Sequence, residues 1–107
     1  ENILIVCDDV NLPLGRLRLR AEGGAGGHNG LADCLERLGQ KEVPRLRMGV
    51  GGGRPGKELA SFVLAPFADS EKRLLNESLA RAAEACASWV TQGVEAAMNR
   101  ANATQEN

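Results

Sequence analysis

The sequence predicts an α/β fold: part of a mixed β-sheet flanked by helices, with a long helix toward the C-terminus. Three observations predict it. A continuous run rich in Ile and Val, Asn2-Ile-Leu-Ile-Val-Cys7, apolar from Ile3 onward, has the character of a strand buried on both faces. Two segments, Arg16–Arg20 and Arg45–Val50, alternate strictly between polar and apolar residues, as half-buried strands do. Apolar residues then recur at helical spacing from Leu75 to Val90. With 107 residues, 43% hydrophobic and 25% charged, the chain reads as one globular domain, 1–107.

Each element follows from local chemistry. The run Asn2–Cys7 is short, rich in Ile and Val, and ended by Asp8 and Asp9, which suits a parallel strand of an α/β sheet. Such a strand needs a layer on either side, and few of the remaining elements can supply one. Asn11-Leu-Pro-Leu-Gly15 is turn chemistry. In Arg16–Arg20 the leucines Leu17 and Leu19 face inward and the three arginines share the outer face. Leu31, Leu35 and Leu38 define a helix from about Gly30 to Leu38, with Asn29 placed to cap its start and Gly39 to end it. The third strand sets Arg45 and Arg47 on one face and Leu46, Met48 and Val50 on the other. Gly51–Gly56 reads as a loop and Leu59–Phe67 as an extended or irregular segment. Asp69 or Ser70 caps a long helix whose buried stripe is read as Leu75, Leu79, Ala82, Cys86 and Val90, with Gly93 at its end. A last short helix spans Val94–Asn99.

Composition narrows the function classes. No apolar run approaches the roughly 20 residues of a membrane span, and no signal-peptide pattern opens the chain, so a cytoplasmic protein without membrane contact is expected. Cys7, Cys34 and Cys86 are odd in number and widely spaced within apolar patterns, which reads as buried thiols rather than disulfides or a metal site. Net charge is −1, but Arg16–Gly56 carries eight basic residues against four acidic ones, so a basic face must come from the middle of the chain.

The segment Gly23-Gly-Ala-Gly-Gly-His-Asn-Gly-Leu31 lies between a strand and a helix, where backbone amides and the helix dipole favour an anion or oxyanion. It is not a dinucleotide fingerprint, because that pattern begun at Gly24 requires glycine where Asn29 stands, and it lacks the Lys-Ser/Thr of a P-loop. The bland alternative is a mobile turn, but five glycines in nine residues are costly unless backbone must approach something closely. His28, the one histidine of the sequence, is open to three readings: base, solvated loop residue or substrate contact. Asp8 and Asp9, as strand neighbours, point opposite ways and are not a carboxylate dyad. The arginines of the two alternating strands are either a solvated face or, if the strands are neighbours, a like-charge cluster awaiting a phosphate. With Phe62, Phe67 and Trp89 as the aromatic residues, all in apolar contexts, base stacking is not expected and any RNA contact would be to phosphates.

Three blocks, Cys7–Gly15, Gly23–Leu31 and Pro44–Gly56, together resemble bacterial-type peptidyl-tRNA hydrolase in order, spacing and character, with weaker agreement at Phe62–Leu64 and Met98–Arg100. The resemblance implies an enzyme that hydrolyses the ester joining a peptide to the 3′ end of tRNA, with no cofactor or metal and peptidyl-tRNA as partner. In that family a histidine is the general base and an aspartate orients it. Asp8 matches the aspartate, and Asn29 matches an asparagine that holds the substrate or attacking water. Gly26, Gly27 and His28, with Val10, match the substrate-binding wall, and Arg20 and Arg47 match the positions associated with the 5′ phosphate of tRNA. The family's N-terminal Arg-His-Asn and Phe-Met-Asn motifs are not present, and Asn11 stands where the family usually has aspartate. The expectation is therefore the C-terminal portion of a larger, monomeric enzyme, inactive as an isolated chain and open to self-association through exposed strand edges. The competing readings are a non-catalytic RNA-binding relative, as among chloroplast splicing factors, and an unrelated nucleotide-phosphate binder.

Overall fold

The computed structural model describes residues 3–51 and 67–103. Three strands and three helices follow in the order β1 (Ile5–Asp9), β2 (Leu17–Arg20), α1 (Asn29–Leu38), β3 (Arg45–Gly49), α2 (Asp69–Gln92) and α3 (Val94–Ala103). The sheet is mixed, in the order β1-β3-β2, with β1 parallel and β2 antiparallel to β3. The predicted loop and extended segment between Gly51 and Phe67 lie, apart from those two residues, outside the described residues.

Parallel pairing sets Ile5 opposite Arg45 and Asp9 opposite Gly49, so the ladder runs through the two aspartates instead of ending before them. Nor is β1 buried on both faces. Ile5 and Cys7 pack toward α1, whereas Val6 is 49% exposed. On Val6's face the helices pack chiefly on the other two strands, α3 on β2 and α2 on β3; Leu4 reaches that core while Val6 stays half exposed.

The core divides across the sheet. On one side Leu17, Leu19 and Leu46 meet Ala82 and Ala85 of α2 and Ala97 and Ala101 of α3. On the other, Leu31 and Leu35 of α1 close over Val43. Alternation in β2 is thus borne out, with both leucines buried and Arg18 and Arg20 exposed.

Several local expectations are corrected. The cap of α1 is His28, not Asn29: its Nδ1 accepts from the Leu31 amide at 3.0 Å, while Asn29 begins the helix proper. At the start of α2 neither Asp69 nor Ser70 caps; Ala68 holds that position, and its N–H donates to the Glu71 carboxylate at 2.8 Å. The buried residues of α2 are Ser78, Ala82, Ala85 and Ser88, and Leu79 and Val90 face outward. Close approach of two helices and a sheet selects small residues at the contact, so side-chain size and not hydrophobicity alone sets which face turns inward. Gly39 and Gly93 end their helices as expected, and α3 runs four residues beyond Asn99. Cys34 is exposed, against the expectation of a buried thiol, because α1 buries its Leu31–Leu35 stripe and turns Cys34 away.

The outer edge of β2 is engaged by a side chain of α3. Asn102 accepts from the Leu19 N–H at 2.9 Å and donates to the Leu19 carbonyl at 3.1 Å, as a neighbouring strand would.

Candidate functional site

The C-terminal end of β1 delivers Asp8 and Asp9 to different partners, as strand alternation requires. Asp8 Oδ1 lies 2.9 Å from His28 Nε2. Asp9 turns the other way, where Oδ1 accepts from the Asn11 N–H at 2.8 Å and Oδ2 from Arg47 Nη1 at 3.3 Å. Both ring nitrogens of His28 are thereby committed. With Nδ1 accepting from Leu31, the proton is assigned to Nε2, which donates to Asp8. The ring has no lone pair left for a water molecule.

The glycine segment is held by two arginines of β3. Arg45, 1% exposed, donates to four carbonyls: Val43 at 2.8 Å, Gly24 at 2.9 Å, Gly23 at 2.9 Å and Lys41 at 3.2 Å. Arg47 donates to the next carbonyl of the loop, Ala25, at 2.8 Å. Three successive carbonyls, Gly23 to Ala25, therefore face β3. Beyond them Gly26 adopts φ +60°, a conformation that favours glycine, and a Cβ there would lie 3.1 Å from the Arg47 guanidinium, which would have to give way.

The predicted arginine crowding is real, since Arg18 pairs across the ladder with Arg47 and Arg20 with Arg45. It is relieved inside the chain. Arg45 turns to carbonyls, Arg47 to Asp9, and β2 keeps Arg18 and Arg20 in solvent with no partner among the described residues. The expected solvated arginine face is corrected in one respect, because the glycine loop covers the Arg45 side. Burial, and secondarily the Arg47 charge, pulls the Arg45 pKa below its ordinary value. Burial likewise raises the Cys7 thiol, an effect Arg47 opposes.

Two clefts result. The first, about 220 Å³, is lined by Asp8, Val10, Gly26, Gly27, His28 and Asn29 together with Asp9 and Arg47, so it gathers all but one of the expected site residues. The second, about 310 Å³, is lined by Arg18, Arg20, Arg45 and Arg47 with Asp9 and Glu22, and it holds the remaining one, Arg20. Arg47 and Asp9 border both. Sequence reasoning missed Arg45 as an anchor of the loop and Asp9 as the partner of Arg47. The nearby signal was a pair of alternating arginines in a chain that also carries five clustered glycines, whose carbonyls need donors.

Residues 1–107 match the family model described as peptidyl-tRNA hydrolase. The chain belongs to the peptidyl-tRNA hydrolase family. Among curated members it is 45% identical over 102 residues to a peptidyl-tRNA hydrolase of Chlorobium phaeobacteroides, covering 95% of this chain and 54% of the relative. With that of Symbiobacterium thermophilum it shares 48% over 101 residues, covering 94% and 53%. The chain thus spans about half the length of the curated hydrolases it matches. A crystal structure of peptidyl-tRNA hydrolase from Acinetobacter baumannii superposes with a TM-score of 0.80 at 33% identity, covering 94% of this chain and 50% of that one. The resemblance read from the sequence holds, and nothing in these hydrolases favours the splicing-factor reading. Among the described residues of this family member, no helix is long and apolar enough to cross a membrane.

Proposed function

We propose that these residues form part of the active site and the tRNA-phosphate site of an enzyme that hydrolyses peptidyl-tRNA in the cytoplasm. The observation that carries the reading is the shared wall: a cleft with a carboxylate, an amide side chain and glycine backbone adjoins a cleft of arginines, as an ester and a phosphate of one ligand would require. Family membership supplies the reaction class.

Ester hydrolysis needs a base to activate water, a donor set for the developing oxyanion and release of the ribose oxygen. His28 is a poor base here, since its acceptor nitrogen serves as a helix cap. Its role is to brace Asp8 against the loop. Asp8 retains Oδ2 with no partner among the described residues, free to orient a base supplied from elsewhere in the site. The amide side chain of Asn29 and the backbone N–H groups of Gly26 and Gly27 border the same cleft with no partners among the described residues. They are suited to hold water and carbonyl oxygen. Arg20 and Arg47 supply charge for tRNA phosphate.

Asp8→Asn in the intact gene product tests this. Turnover of peptidyl-tRNA should fall by about 10²-fold or more while tRNA affinity is kept. Equal turnover by wild type and variant would remove Asp8 from the mechanism, and tRNA binding without any turnover by the wild type would favour a binding protein.

A further inference from the structure

Among the described residues, Asp9 and Arg47 are the ones that line both clefts, and as an ion pair they form the wall between them. Its side chains are 11% and 14% exposed, so it is neither a solvated surface pair nor part of the core. Each end is fixed independently. On Asp9, Oδ1 is held by the Asn11 amide, while its carbonyl accepts from Leu12 at 3.3 Å and from Val50 at 3.1 Å. On Arg47, one terminal nitrogen is spent on Asp9 and the other on the Ala25 carbonyl. Arg47 also lines the arginine cleft, and its other N–H donors have no partner among the described residues. Gly26, the next residue of the loop, lies so close to the same guanidinium that a methyl group there would press on it.

We propose that Asp9 is a positioning residue: it holds Arg47 in the wall between the clefts, so that one guanidinium engages a phosphate on one side and fixes the glycine wall of the hydrolytic cleft on the other. The proposal rests on the tRNA-phosphate reading of the arginine cleft given above. A planar guanidinium gains from being held, because its donors then meet a phosphate without further ordering. Asp9 contributes this at a cost, since its negative charge sits beside the anion site and weakens its attraction for phosphate. The two effects have opposite signs, and that makes the role measurable.

Asp9→Asn keeps the shape and removes the charge. In the intact gene product, affinity is measured for tRNA carrying its 5′ phosphate and for the same tRNA after phosphatase treatment, with single-turnover hydrolysis of the matching peptidyl-tRNAs alongside. Wild type should prefer the phosphorylated tRNA by about tenfold, the value of one charge-assisted contact, and Asp9→Asn should erase most of that preference. Arg47→Gln should do the same, and the double variant no more than either. The hydrolytic rate constant should fall in Asp9→Asn even on dephosphorylated substrate, because the Gly26 wall loosens. Stronger preference for the phosphate in Asp9→Asn, additive losses in the double variant, or no preference in wild type would each overturn the proposal. Absence of hydrolysis with the pattern of preferences intact would dismiss the hydrolase reading and leave the role of Asp9 in place.

Discussion

Arg45 offers the sharpest test of how the glycine segment is held. The residue is 1% exposed and has no carboxylate partner among the described residues; its charge is met by four carbonyl oxygens, belonging to Val43, Gly24, Gly23 and Lys41. Replacing it by methionine keeps much of the volume and removes every donor. Hydrogen bonds to charged groups contribute about 1.5–3 kcal/mol each, and four of them would give an implausibly large sum, because the desolvation of the cation offsets most of it. The loss is better framed by the carbonyls left behind. Gly24 and Lys41 are exposed and can turn to water, whereas Val43 is fully buried and Gly23 partly so. Two stranded acceptors at about 1–3 kcal/mol apiece give an expected destabilisation of about 3 kcal/mol for Arg45→Met. Arg45→Lys retains the charge but cannot span Val43 and both glycines at once, and about half that loss is expected. Urea unfolding of the intact gene product, compared at unchanged m-value, measures both, and amide exchange at Gly23–Ala25 reports the loop itself. If Arg45→Met is as stable as wild type, or if the lysine variant is the less stable of the two, the carbonyl-anchor account is wrong.

Two further outcomes are expected. His28→Ala should cost about 1 kcal/mol through the lost cap of α1, and His28→Asn should recover most of it because asparagine is a good cap, although its shorter side chain forgoes the Asp8 contact; thermal unfolding of the three proteins reads the order. Among the cysteines, exposed Cys34 should alkylate first in the folded protein, and Cys7 should lag, since burial raises its pKa and keeps it a thiol to higher pH than in the unfolded chain. The sign carries to stability: across that raised interval the folded state binds the additional proton, so the Cys7 contribution declines as pH rises past the ordinary thiol range. Mass mapping after timed iodoacetamide exposure distinguishes the sites, and preferential labelling of Cys7 would contradict the burial argument.

The sequence by itself determined the elements whose signal is local. Alternation in Arg16–Arg20 placed Leu17 and Leu19 in the core, helical spacing and Gly39 bounded α1, and the adjacency of Asp8 and Asp9 sent them to different partners. These follow from backbone periodicity, which each short segment carries whole. Family likeness then gathered Asp8, Val10, Gly26, Gly27, His28 and Asn29, which the fold brings to one cleft. What only tertiary structure decided is which face of each element found a covering layer. The α2 stripe shifted to Ser78, Ala82 and Ala85 because neighbouring helix and sheet come close, β1 kept Val6 half exposed because α2 and α3 pack chiefly on β3 and β2, and Arg45 became buried because the glycine loop folds across it. His28 spends its free lone pair on a helix cap, and Asp9 pairs with Arg47 from a strand 38 residues away. Such partners are chosen by the packing of distant segments, where an unsatisfied donor, acceptor or buried charge takes whatever complementary group the fold brings within reach.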